Sequence, residues 1–387
     1  MAANPAKKTQ GISPFYVMDL LRRAKQLEDQ GRSIIHMEIG EPDFPTPQAI
    51  IDAGIHLLQS GEVKYTPAAG LPHLRKEIAD FYQRQGISVP VERIFITPGA
   101  SGALLLELGS SLNAGDKVLL ADPCYPCNRN FVTLLEGRVQ AIPVDETTRY
   151  HLNAQIIKQH WTDSTKAVLV ASPSNPTGTL IDADDLKQAV AMVDDLGGCF
   201  YSDEIYHGLV YGREAVSALK FSDQVFVINS FSKYFGMTGW RIGWLVVPEQ
   251  FIGVTERLAQ NLFIATSTVA QYAAIAAFAE ETQIELERRR AELAMRRDFL
   301  YEGLLRMGFD IPIKPDGAFY IYANAAHFTD NSGQFALDLL EEEGVAVTPG
   351  KDFGEYNAPH MLRFAYTLPI DKMSIALQRL QRFINRE

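Results

Sequence analysis

Apolar residues run along the middle of the chain in two alternating rhythms. Short β-branched or aromatic runs occur at Ile94 to Thr97, Lys117 to Ala121, Arg138 to Pro143, Lys166 to Ser172, Cys199 to Ser202, Val225 to Ser230 and Ile242 to Val247. They have the length and composition of strands. Between them lie amphipathic segments such as Ala103 to Leu112 and Asp182 to Leu196, whose apolar positions recur at helical spacing. The alternation predicts an α/β unit built around a mostly parallel sheet.

Past this region, Thr282 to Leu305 reads as a long charged helix with Glu285 and Arg289 at i,i+4 spacing. Its Arg288-Arg289-Arg290 run is flanked by glutamates on both sides, so a solvated helix face is expected there and not a binding patch. Ala318 to Tyr322, Val345 to Thr348 and Met361 to Ala365 then read as strands among helices. The expected organisation is a larger unit, 46–284, and a smaller α+β unit made of 1–45 with 285–387.

Composition narrows the picture. A chain of 387 residues exceeds one ordinary domain, and 47% hydrophobic with 21% charged residues describes a globular enzyme and not a disordered chain. A net charge of −11 argues against nucleic acid or an anionic membrane as the main partner. Three cysteines are too few for a disulfide framework and fit a reducing, cytoplasmic setting. Cys124-Tyr125-Pro126-Cys127 has the form of a redox pair, but no histidine cluster or second pair completes a metal site, so no metal is expected. Met1 to Gly11 lacks the apolar run of a signal peptide. Leu258 to Ala279 is uncharged and long enough to span a bilayer, yet Gln260, Asn261, Thr266, Ser267, Thr268 and Gln271 make a buried or interface helix the expectation.

The densest chemistry lies in Ser230-Phe231-Ser232-Lys233-Tyr234-Phe235-Gly236-Met237-Thr238-Gly239-Trp240-Arg241-Ile242-Gly243, directly after a strand. Desolvation at the end of a buried strand lowers a lysine's pKa, and such a lysine can form a Schiff base with a carbonyl. The serines and Arg241 supply donors suited to a phosphate, although Ser-x-x-Lys alone also marks unrelated serine nucleophiles. Thr97 to Ala103 follows a strand and opens a helix, which makes either an anion site or a simple tight turn. Tyr125 sits among prolines, where an aromatic either packs a loop or covers a flat ligand. Ser174-Asn175-Pro176-Thr177-Gly178 is ordinary turn punctuation unless the Asn175 amide is aimed at a ligand. Asp203 and Glu204 end another strand, a pairing that by itself also suits a metal. Arg363 lies between apolar residues and needs a carboxylate partner, in a structural ion pair or on a ligand.

Together these segments resemble the class I and II aminotransferases, the aspartate aminotransferase superfamily of pyridoxal-phosphate enzymes of fold type I. All of Ser230 to Gly243 matches that family's lysine motif, and the resemblance runs from about Ser13 to the C-terminus. It implies that Lys233 carries pyridoxal 5'-phosphate as a Schiff base and later shuttles the proton. Gly99, Ala100, Ser101, Ser230 and Arg241 would hold the phosphate and Tyr125 would stack on the ring. Asp203 would keep the pyridine nitrogen protonated, while Asn175 and Tyr206 donate to the phenolic oxygen. Arg363 would grip the substrate α-carboxylate under the Gly40 backbone, with Asn175 beside it. Tyr65 would reach the phosphate of a neighbouring subunit, giving a homodimer with shared active sites. A cis Asn175–Pro176 bond also fits the family.

The implied reaction moves the amino group of an α-amino acid, aspartate among the candidates, to a 2-oxo acid, with 2-oxoglutarate the acceptor by analogy. A C–S β-lyase or related carbon–sulfur enzyme would use the same Lys233, Asp203 and Arg363. A transcription regulator on this scaffold would add an N-terminal DNA-binding domain, for which the 39 residues before Gly40 are too few. Cys127-Asn128 stand where the family often has a second aromatic, so the substrate side chain stays open. A dicarboxylate needs a second cation, and Arg22, Arg23, Lys64 and Arg75 are candidates that no spacing separates.

Overall fold

The computed structural model describes residues 4–12 and 14–386. Met1 to Ala3, part of the segment expected to lack a signal peptide, lie outside the described residues, as do Ser13, where the resemblance begins, and Glu387. The chain opens with α1 (Tyr16–Asp29), β1 (Ile35–His36), α2 (Gln48–Ser60) and α3 (Pro72–Arg84). Next come β2 (Ile94–Thr97), α4 (Gly99–Ser111), β3 (Lys117–Asp122), α5 (Pro126–Leu134) and β4 (Arg138–Pro143). They are followed by α6 (Ala154–His160), β5 (Thr165–Ala171), α7 (Ala183–Asp195), β6 (Cys199–Asp203), β7 (Val225–Ser230) and β8 (Gly243–Val246). The rest comprises α8 (Ile252–Leu262), α9 (Thr268–Ile275), α10 (Glu280–Met307), β9 (Tyr320–Asn324) and α11 (Ser332–Glu343). It ends with β10 (Val345–Ala346), β11 (Thr348–Pro349), β12 (Met361–Ala365) and α12 (Ile370–Ile384).

Seven strands form one sheet in the order β2-β8-β7-β6-β5-β3-β4, parallel except where β8 runs against β2 and β7. The fold is thus α/β with a mostly parallel central sheet. Each strand divides its side chains by alternation. Ile94, Ile96, Val168, Val170, Val225, Val227 and Trp244 enter the core on one face. Phe95, Leu169, Phe226, Ile228 and Leu245 enter the core on the other. A third core joins Leu20, Ala24 and Leu27 of α1 to Leu300, Ile321, Leu339, Phe364 and Leu377. It surrounds the three-stranded antiparallel sheet β11-β12-β9.

The pattern misplaces three features. The uncharged stretch Leu258 to Ala279 is not one helix: α8 stops at Leu262, Ile264 has positive φ, and Ser267 caps a new helix through Ala270 N. The polar residues that argue against a membrane span are those that break it, with the Thr266 hydroxyl donating to Ile96 O at 3.0 Å. Val345 to Thr348 is divided between two sheets, since Val345–Ala346 pairs with β1 and Thr348–Pro349 with β12. In the arginine run, Arg288 is solvated, but Arg289 is buried and donates to Pro45 O at 2.6 Å while keeping its Glu285 partner. Among the described residues no helix is long and apolar enough to cross a membrane.

Candidate active site

Ligands of open parallel sheets bind beyond the carboxyl ends of the strands. Here β5, β6 and β7 deliver Asn175, Asp203 and Lys233 to one cavity of about 270 Å³, which Arg363 of β12, from the other sheet, also lines. Ala100, Ser101, Tyr125, Tyr206, Ser230, Arg241 and Gly40 line the same cavity. Gly99 adjoins it, packed on Arg241.

Lys233 follows β7 on a turn, with its ammonium donating to Gly40 O at 2.8 Å. Burial, followed by the positive charges of Arg363 and Arg241, lowers its pKa to about 8. The neutral amine is therefore in hand near physiological pH. In cofactor-free protein we expect Lys233 to gain reactivity toward acetic anhydride as pH rises through about 8, whereas an exposed lysine stays protonated to about 10.5. Peptide mass mapping across pH checks this, and a midpoint above 10 would contradict the depressed pKa.

Asp203 is 6% exposed at the end of β6 and accepts one backbone bond, from Ile205 N at 3.2 Å. Burial raises its carboxyl to about 6, with Glu204 adding to the shift and the Ile205 bond opposing it. Glu204 points elsewhere: its Oε1 accepts from Ser202, Ser217 and Ala218 N, which makes it an anchor for the turn.

At one end of the cavity, Arg241 sits in the left-handed region at φ 53 and spans Ser232 Oγ at 3.4 Å and Thr238 O at 3.1 Å. The guanidinium packs so closely on Gly99 that a Cβ there would stand 2.6 Å from its terminal nitrogen. Gly99 also has φ +67, so only glycine lets α4 begin against this cation. The helix N-terminus, Ser101, Ser230 and Arg241 form an anion cradle, and no acid among the described residues pairs with Arg241.

At the other end, Arg363 is 4% exposed. It donates to Asn175 Oδ1 at 2.9 Å, Glu38 O at 2.5 Å and Thr348 Oγ1 at 3.2 Å, leaving its Nε without a partner. None of these acceptors is a carboxylate, so the ion-pair reading of this arginine fails and the ligand reading is left. Because Arg363 takes Asn175 Oδ1, the Asn175 amide N–H groups remain to donate, and the Asn175–Pro176 bond is cis. The Tyr206 and Tyr320 hydroxyls lie 3.1 Å apart, and Tyr320 also stacks its ring 4.2 Å from the Arg363 guanidinium carbon. A Cβ on Gly40 would fall 2.0 Å from the Tyr320 hydroxyl, which explains the glycine.

The residues fit pyridoxal phosphate on the structure's own terms. A cradle with an unpaired cation suits the phosphate, and a buried carboxyl with a single partner suits a pyridinium N–H. A lysine amine whose pKa is lowered to about 8 lies between them in sequence and lines the same cavity.

Of the cofactor and substrate candidates, Gly99 adjoins the cavity without lining it, and Tyr65 is absent from it, being 84% exposed on the segment between α2 and α3. Sequence reading missed Tyr320, Thr238 and the α1 residues Val17, Met18 and Leu21, all of which line the cavity, and singled out Ser232 only as one of the motif's serines. Ser232 and Thr238 lay inside the lysine motif and were recoverable from it. Tyr320 sits on a strand buried on both faces, where alternation carries no signal.

A family model described as aminotransferase class I and II matches residues 32–380. The chain is 37% identical over 373 residues to a valine–pyruvate aminotransferase of Mycobacterium tuberculosis, covering 96% of each. It is 35% identical over 390 residues to an aspartate aminotransferase of Geobacillus stearothermophilus, covering 98% of each. A crystal structure of an aminotransferase from Mycobacterium tuberculosis superposes with a TM-score of 0.95 at 36% identity, covering 99% of both chains.

Proposed function

We propose that this chain, which belongs to the class I and II aminotransferases, moves the amino group of an α-amino acid to a 2-oxo acid with pyridoxal 5'-phosphate held on Lys233. The observation that carries the reading is the buried Lys233 amine, its pKa lowered to about 8, in one cavity with Asp203 and two arginines, Arg241 and Arg363, that no acid among the described residues pairs. When bound, the cofactor supplies an aldehyde that Lys233 holds covalently and a ring that takes up the electron pair released at the substrate Cα.

The chain's own residues do the rest. Arg363 fixes the α-carboxylate of each substrate in turn, and the Asn175 and Thr348 bonds hold its fork in place. Asp203 holds a proton at the ring nitrogen. Lys233 takes the proton from the donor Cα and later returns one to the acceptor Cα. Over the full cycle the donor loses its amino group and Cα hydrogen and is oxidised to a 2-oxo acid. The acceptor gains both and is reduced, and its carbonyl oxygen is replaced through water.

Two further parts of the reading concern architecture. The separate core around β11-β12-β9 supports a division into a larger unit, 46–284, and a smaller one, 1–45 with 285–387. A homodimer is supported by the exposed apolar residues Val63, Tyr65, Leu262 and Ile264, on two segments that the Thr268 hydroxyl, at the start of α9, ties together by donating to Lys64 O. Tyr65 would then reach the partner's phosphate. The three free cysteines support a cytoplasmic setting.

The test is direct. Borohydride reduction of the yellow protein is expected to fix the cofactor on the peptide containing Lys233, and an amino donor plus a 2-oxo acid is expected to give the exchanged pair. Ammonia and pyruvate released from a cysteine conjugate, without amino transfer, would replace this reading by the carbon–sulfur lyase.

A further inference from the structure

The identities to a valine–pyruvate and an aspartate enzyme are nearly equal and select no side chain. The cavity does. Its charged lining consists of Glu38, Asp203, Lys233, Arg241 and Arg363. Arg241 and Asp203 belong to the cofactor ends, Lys233 to the reacting centre and Arg363 to the α-carboxylate. Glu38 is fully buried and accepts from His36 Nδ1 at 2.7 Å. What remains beside Tyr125 is apolar: Phe15, whose ring meets Tyr125 edge-on at 6.2 Å, and the α1 face formed by Val17, Met18 and Leu21.

Among the described residues of one subunit, no cation lines that wall. Arg22, one turn beyond Met18, is exposed and pairs with Asp19 at 2.7 Å. Arg23 donates to Glu341 at 2.9 Å. Arg75 is held by Ile94 O at 2.8 Å and Val91 O at 2.6 Å. Lys64, next to Tyr65 on the segment proposed to reach the partner, pairs with Glu62. None of the four lines the cavity. A side-chain carboxylate placed against α1 would lose its hydration without gaining a counter-charge.

Resting on the aminotransferase reading of this cavity, we infer that the site takes monocarboxylic substrates: an α-amino acid with an apolar side chain as donor and, because the same wall meets both partners, a monocarboxylic 2-oxo acid as acceptor. Pyruvate or a branched 2-oxo acid thus replaces the 2-oxoglutarate expected from resemblance. The reaction exchanges the donor's amino group and Cα hydrogen for the acceptor's carbonyl oxygen, with two electrons passing from donor to acceptor.

The experiment uses the full-length holoenzyme with leucine, valine, methionine, aspartate and glutamate as donors, and pyruvate and 2-oxoglutarate as acceptors. Apolar donors are expected to exceed aspartate in kcat/KM by at least about a hundredfold. Titration of the cofactor spectrum with unreactive acids is expected to show 4-methylpentanoate binding far more tightly than succinate. Met18 is 55% exposed, so Met18→Arg is tolerated by the fold and is expected to raise aspartate kcat/KM about tenfold or more while lowering that of leucine. Aspartate turnover equal to that of leucine would overturn the inference. So would succinate binding as tight as 4-methylpentanoate, or aspartate turnover abolished by Lys64→Ala, which would identify a cation in trans. If no donor of either class reacts, the aminotransferase reading falls, and the comparison of the two unreactive acids still decides the preference of the wall.

Discussion

Replacing Lys233 by alanine is expected to lower turnover by at least about 10⁴-fold while leaving a folded protein. Both halves follow from where the amine sits. Its single hydrogen bond is to Gly40 O, and its charged form is disfavoured by burial and by Arg363 and Arg241. Deleting it therefore removes a strained group from the cofactor-free protein, and Tm of the cofactor-free variant should stay within a few degrees of the parent. The chemistry has no substitute. Asp203 is committed to the ring end and Tyr206 to the Tyr320 hydroxyl, so no second base of suitable pKa is left to move the Cα proton. Pyridoxal phosphate should still enter through the Arg241 cradle, but borohydride should no longer fix it to protein. A variant that turns over within tenfold of the parent would remove Lys233 from the mechanism. One that fails to fold is answered by Lys233→Gln, which fills the space with no nucleophilic amine.

The same residues show what sequence carries and what it does not. Strand positions were legible because β2, β3, β5, β6, β7 and β8 are short apolar runs punctuated by polar clusters, and the cofactor residues are those clusters at the carboxyl ends of the strands. Their type announces their chemistry. Long-range partners were not legible. Glu38 O and Thr348 meet Arg363 across 325 and 15 residues respectively, and nothing local marks either as its acceptor. Tyr320 was hidden for a similar reason, since it contacts Tyr206 from 114 residues away and lies among buried aromatics on both sides. The break between α8 and α9 was hidden because Thr266 draws its stability from Ile96 O, a tertiary contact that helix propensity does not report. Substrate choice belongs to the same class. It depends on α1 lying over a cavity whose other walls come from segments scattered along the chain, from Gly40 through Ser101 and Asp203 to Arg363.

Arg363→Ala is expected to raise KM for every amino acid and 2-oxo acid by about a hundredfold or more, with a smaller effect on kcat. The guanidinium is held on three acceptors, all neutral, and stands over the rings of Tyr320 and Phe353 at 4.2 and 4.8 Å. Those contacts orient the charge without neutralising it, which leaves its Coulomb attraction for an incoming carboxylate at a buried position. Because donor and acceptor both carry an α-carboxylate, the loss should be common to all substrates. It should leave the leucine-to-aspartate ratio nearly unchanged, whereas Met18→Arg changes that ratio. Arg363→Lys provides the sharper comparison: it keeps the charge but cannot bond Asn175, Thr348 and a bidentate carboxylate together, and it should recover only part of the loss. Truncation also frees Asn175 Oδ1 from its buried donor, so stability should fall by about 1–3 kcal/mol, measured by denaturant unfolding of the cofactor-free protein. If KM is unchanged while stability falls, Arg363 is a structural arginine and the carboxylate is bound elsewhere. A uniform rise in KM that Arg363→Lys partly relieves assigns it to the substrate.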